Sequence, residues 1–123
     1  MRTFAFWFDR SLLLSIARPL AWACVVAIAV LSLVPGDTRP HTGLPGRAEH
    51  FIAYAGTAFF FALGYRGLHQ RILALIGLAI ASAAFEVLQS FVPGRSASSL
   101  DALASTSGAA FGLLLGAILS AIV

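Results

Sequence analysis

Four long apolar blocks, separated only by short polar stretches, constrain this chain more than any other feature. They run over 20–34, 51–65, 72–92 and 102–123. The first has only Ser32 as a polar residue, the second and fourth carry no charge, and the third carries Glu86 and Gln89. A membrane-spanning helix needs about 20 residues, with a range of roughly 17–25. The third and fourth blocks meet that length directly. The first reaches it by starting before Pro19, with Arg18 snorkelling to the headgroups. The second reaches it by including 47–50. No sustained period-two alternation is present, and the Ala and Leu that dominate favour helix. Lipid admits only helices or closed barrels, and four segments of this length cannot close a barrel. The expected fold is an all-α membrane protein, a compact bundle of four antiparallel transmembrane helices at about 19–34, 48–65, 72–92 and 100–123. A single membrane domain then spans 1–123, with 1–18 as an interfacial N-terminal segment. The turns fall at 35–46, 66–71 and 93–99, marked by Pro35, Pro40 and Pro45, by Gly67, and by Pro93-Gly94.

Composition sharpens that expectation. Only thirteen of 123 residues are charged, eight Arg and five Asp or Glu, while 59% are hydrophobic. A typical soluble domain has about 45–50% apolar and about 25% charged residues. A soluble domain of this size could not bury so large an apolar fraction. The balance excludes a disordered chain, a disulfide scaffold and a soluble nucleic-acid binder, so no nucleic-acid partner is expected. The lone Cys24 sits in an apolar run and reads as an inert thiol. The apolar run follows Cys24, and no small-x-small site follows at 33–35, so an uncleaved helix is expected rather than a lipoprotein or secretory signal.

Arg counts set the orientation. With the N-terminus inside, the cytoplasmic side holds Arg2, Arg10, Arg18, Arg66 and Arg71, and the outer side holds Arg39, Arg47 and Arg95. Both termini are therefore expected in the cytoplasm. Phe4, Phe6, Trp7 and Phe8, flanked by Arg, form an aromatic belt suited to the inner leaflet and its lipids.

The remaining polar residues collect on the outer side. Arg47, Glu49 and His50 open the second helix, Glu86 and Gln89 close the third, Arg95 lies in the third loop and Asp101 opens the fourth. Glu86 stands six residues before Val92, about 9 Å deep at 1.5 Å per residue. An acid at such depth faces the bundle interior and has a partner. It reads either as part of a site or as a structural pair with Arg95 or His50. Gln89 follows at i+3 on the same face. Asp101 reads as a ligand-orienting acid or as the cap of Ser98-x-x-Asp101. Arg95 precedes a helix N-terminus, where an anion can be held. His50 and Tyr54 share a face at i and i+4. Metal binding by His50, Glu86 and Asp101 requires all three to converge, and no dense ligand motif exists, so no metal or cofactor is expected. His41 and His69 read as loop residues. Ser105, Gly108, Gly112 and Gly116 form a small-residue stripe for helix packing, which also allows an oligomer.

The run Phe85-Glu86-Val87-Leu88-Gln89-Ser90-Phe91-Val92-Pro93-Gly94-Arg95, followed by Ser98, Asp101, Gly108 and Gly112, resembles the VanZ-like family of small bacterial membrane proteins. That family's pattern is E-x-x-Q, then P-x-R, a Ser or Asp, and D-x-x-x-N-x-x-G. Leu31-Ser32-Leu33-Val34-Pro35 and His50-Phe51 with Tyr54 look like its first- and second-helix motifs, so the resemblance spans about 31–116. Gly46 and Arg47 stand where the family often has Asp-Lys, and Ser105 where it has Asn. The resemblance implies a multi-pass protein of the bacterial cytoplasmic (inner) membrane. The family's founding member is associated with low-level resistance to teicoplanin, a glycopeptide that acts on lipid-linked cell-wall precursors.

The favoured reading is a cell-envelope accessory protein with an outward-facing polar site. Arg47, His50, Tyr54, Glu86, Gln89, Arg95 and Asp101 would bind an anionic or lipid-linked envelope ligand, with a link to glycopeptide or lipopeptide tolerance. The alternatives are an intramembrane enzyme acting on a lipid-linked substrate, with Glu86 as base and His50 as acid, or a purely structural accessory subunit. No nucleophile pattern is present, which weighs against turnover.

Overall fold

A computed structural model describes residues 10–33, 43, 46–93 and 99–122. Among these, all regular structure is helical, in four segments: α1 (Arg10–Leu33), α2 (Gly46–Gly64), α3 (Leu68–Gln89) and α4 (Ser99–Ile122). Three stretches are long and apolar enough to cross a membrane: Ser15–Leu33 of α1, all of α3 and all of α4. The N-terminal aromatic belt, the first loop apart from Gly43 and Gly46, and the loop residues Gly94, Arg95 and Ser98 lie outside the described residues.

The boundaries differ from the sequence expectation in three informative ways. Residues 10–18, expected as part of an interfacial segment, are the first turns of α1, and Pro19 lies inside that helix. At the other end, α3 stops at Gln89 instead of Val92. Tight turns follow, in which the amides of Ser90, Phe91 and Val92 bond the carbonyls of Val87, Leu88 and Gln89. Pro93 supplies the reason, since a proline disfavours the helical conformation in the residue before it. The start of α3 also precedes expectation: the Gly67 amide donates to Oε1 of Gln70 at 3.2 Å, and His69 is helical.

The second apolar block, expected as a fourth span, forms the central helix and is less apolar than the other three by the same measure of length and hydropathy. Arg47, Glu49 and His50 occupy its first turns. It packs on α1, α3 and α4, and its residues Tyr54, Thr57, Ala58 and Phe61–Gly64 are buried. A helix surrounded by other helices is shielded by protein and does not need an apolar surface on every side.

The tightest packing joins α2 to α4. A Cβ on Gly108 would lie 2.3 Å from the Phe51 carbonyl oxygen, and one on Gly112 would lie 2.0 Å from that of Ala55. A Cβ on Gly116 would lie 2.7 Å from the Phe59 carbonyl oxygen. Only hydrogen fits at these three positions, so the backbones meet in van der Waals contact along a seam of small residues. The contacts advance together along both chains, so α2 and α4 run in the same direction and their N-termini share one end.

At the opposite end, arginines satisfy carbonyls that helix termini leave without intrahelical partners. Arg18 Nε donates to the Gly64 carbonyl at 2.8 Å, with its guanidinium 4.6 Å from the centre of the Tyr65 ring. Arg71 Nη2 donates to the Ala62 carbonyl at 2.9 Å and to Ser120 Oγ at 2.7 Å. Arg66 donates to the Ser120 carbonyl. Positive charge at helix C-termini also complements the macrodipole. Trp22 Nε1 donates to Tyr65 Oη at 3.0 Å and packs edge-on against Phe61, tying α1 to this end.

Candidate functional site

The shared N-terminal end of α2 and α4 carries His50 and Asp101, and the last full turn of α3 carries Glu86. One ligand-type atom from each of the three lies within 4.8 Å of the other two. Three helices thus bring an imidazole and two carboxylates to one point. Both α2 and α4 place an acid in the first turn, Glu49 and Asp101, where the helix dipole favours negative charge.

Asp101 is the hinge of the cluster. Its Oδ1 lies 3.7 Å from Arg47 Nε, and its Oδ2 lies 3.9 Å from His50 Nδ1. The Arg47 side chain is 59% exposed, whereas those of His50 and Asp101 are 18% and 19% exposed. The Arg47 contact is therefore screened by solvent and weak. The His50–Asp101 separation exceeds the usual hydrogen-bond range of about 2.7–3.2 Å. Nδ1 is buried and has no hydrogen-bond partner among the described residues.

Below this layer, Tyr54 is buried one turn after His50, and its hydroxyl shares a hydrogen bond with Ser82 within electrostatic reach of Glu86. Ser82 is buried and its Oγ lies 3.5 Å from the Ala102 carbonyl. The sequence reading missed Ser82, although Ser82-x-x-x-Glu86-x-x-Gln89 places all three on one face of α3. Gln89 is buried on that face. Ser105 is buried and donates to the Asp101 carbonyl at 2.9 Å, within α4.

The structure therefore brings together Arg47, His50, Tyr54, Glu86 and Asp101, with Gln89 on the same face of α3. Arg95 lies outside the described residues. The depth of Glu86 changes: with α3 ending at Gln89, Glu86 is three residues from the helix end, about 4.5 Å. A separate cavity of about 430 Å³ lies between α1, α2 and α3, lined by Trp22, Val25, Phe61, Tyr65, Leu73 and Leu78 among others. None of the clustered polar residues lines it.

No protein-family profile, curated protein or solved structure matches the chain.

Proposed function

We propose that this chain is a multi-pass protein of a bacterial cytoplasmic membrane, VanZ-like in kind, whose polar end faces outward and binds an anionic, lipid-linked envelope ligand. The observation that carries this reading is the convergence of Arg47, His50, Glu86 and Asp101 from three helices at one end of the molecule. The surroundings support membrane residence. Large apolar side chains are turned outward on every candidate span, including Val26 (62% exposed), Ile80 (64%) and Leu103 (62%). Lipid is the solvent that tolerates such a surface.

In this reading the four helices form an antiparallel transmembrane bundle with both termini in the cytoplasm. Arg18, Arg66 and Arg71 occupy the inner end, in keeping with the excess of positive charge in cytoplasmic segments. Arg47 at the outer end contacts a phosphate or carboxylate, and Arg95 adds a second cation to the same group. Glu86 and Asp101 orient the arginines and accept hydrogen bonds from hydroxyl or amine groups of the ligand. Membrane lipids surround the bundle, and a cell-wall precursor of the lipid-phosphate type is the ligand class that fits both an apolar tail and an anionic head. Glycopeptide or lipopeptide tolerance would follow from contact with such a precursor.

The test uses the full chain in nanodiscs, with undecaprenyl phosphate as probe. Saturable binding to the wild type, lost in Arg95→Ala and Glu86→Ala while both variants remain inserted and helical, supports the reading. Equal binding by wild type and both variants, or no binding by the wild type, overturns it.

A further inference from the structure

We infer that His50, Glu86 and Asp101 form a binding site for one divalent metal ion of the zinc class, held by an imidazole nitrogen and two carboxylate oxygens. Each residue comes from a different helix, and their ligand atoms already lie within 4.8 Å of one another. On a single tetrahedral zinc, with bonds of about 2.0–2.2 Å, ligand atoms are separated by about 3.4 Å. Side-chain rotations of about an ångström close that difference.

Three features separate this trio from an ion pair that only locks helices. The first is the imidazole. A His–Asp pair serving packing alone would close to hydrogen-bond distance, yet Nδ1 stands 3.9 Å from Oδ2 and has no hydrogen-bond partner among the described residues. The second is charge. Two carboxylates share the cluster, and Arg47, which meets Oδ1 of Asp101, is mostly in solvent. A divalent ion balances both acids at once. The third is the surrounding support. The Arg47 contact to Oδ1 leaves Oδ2 turned toward His50, and the Tyr54–Ser82 pair lies beneath Glu86. Outer contacts of this kind orient ligating side chains.

The donor set selects the ion. Calcium takes six to eight oxygen ligands, and magnesium demands near-octahedral oxygen coordination. One imidazole nitrogen with two carboxylate oxygens suits zinc better than either. Three protein ligands leave a coordination position open to water or to an oxygen of an anionic ligand. The metal site rests on the cluster itself, not on the identity of the envelope ligand.

The experiment uses the metal-free full chain in detergent, with no lipid phosphate present. Calorimetric titration with Zn²⁺ is expected to show one ion per chain at micromolar affinity. Co²⁺ is expected to give visible absorption bands of a four- or five-coordinate site. His50→Ala, Glu86→Gln and Asp101→Asn should each weaken Zn²⁺ binding about tenfold or more with helical content unchanged by circular dichroism. Cys24→Ser and His69→Ala should bind as the wild type does. Absence of stoichiometric Zn²⁺ binding by the wild type overturns the inference, whatever the variants do. So does undiminished binding by His50→Ala, or loss of binding in Cys24→Ser or His69→Ala. Failure of undecaprenyl phosphate to bind would leave the Zn²⁺ stoichiometry unaffected, so the two proposals fail separately.

Discussion

Asp101 Oδ2 faces His50 Nδ1 at 3.9 Å, although the two residues open different helices far apart in the chain. What holds them opposite one another is the seam below. Gly108, Gly112 and Gly116 let α4 lie directly against the carbonyls of Phe51, Ala55 and Phe59. Because α2 and α4 run in the same direction, their N-terminal turns, with His50 and Asp101, lie at the same end of the molecule. The glycine seam is thus the structural basis of the polar cluster.

Gly112→Ala should accordingly be costly. Its Cβ would stand 2.0 Å from the Ala55 carbonyl oxygen, so the two backbones must move apart. Overpacking of this kind costs about 1–3 kcal/mol or more. Gly77→Ala provides the contrast, because nothing lies within 4 Å of its added methyl. It should stabilise α3 by about 0.5–1 kcal/mol through helix propensity. Unfolding of both variants in mixed detergent–SDS micelles, followed by circular dichroism, measures the difference in sign.

Arg71→Ala should destabilise the other end of the molecule by about 2 kcal/mol, the usual range for hydrogen bonds to a charged donor. It removes contacts to the Ala62 carbonyl and to Ser120 Oγ, and so unties α3 from both α2 and α4. Arg71→Lys should recover only part of the loss, since an ammonium lacks the planar fork that reaches both acceptors. The same SDS titration reads both variants.

The Arg47–Asp101 pair should show little coupling. Arg47 is 59% exposed, and exposed ion pairs contribute about 0.2–1 kcal/mol. A double-mutant cycle with Arg47→Ala and Asp101→Asn should give a stability coupling within that range. Coupling well above it would show that Arg47 is held in the cluster, which the observed exposure argues against.

Membrane orientation can be read by cysteine labelling in a Cys24→Ser background. Arg47→Cys should react with an impermeant maleimide added to intact cells. His69→Cys should react only after permeabilisation. The reverse pattern would place the polar cluster on the cytoplasmic side.

Much of the helical organisation was legible because apolar block length and proline position act locally. The blocks at 72–92 and 102–123 anticipated α3 and α4 to within a few residues. The sequence alone shortens the first helix, because Arg10 and Arg18 have the character of membrane-surface charges. Arg18 instead reaches the Gly64 carbonyl, a partner that only tertiary packing supplies. Hydropathy alone carries α3 past its true end, because apolar Phe91 and Val92 continue the pattern, while Pro93 acts on backbone conformation. Ser82 escaped notice because a serine in an apolar run gives no signal until its neighbours on other helices are known.

The sequence by itself determined that this chain is helical, that its first, third and fourth apolar blocks are long and apolar enough to cross a membrane, and that its scarce charges sort toward helix ends. These properties follow from composition and spacing along a single segment. Only the tertiary structure decided that α2 is the central helix, that α2 and α4 run in the same direction along a glycine seam, and that His50, Glu86 and Asp101 meet within 4.8 Å. Such relations depend on which helix faces lie against one another, and packing between distant segments sets that.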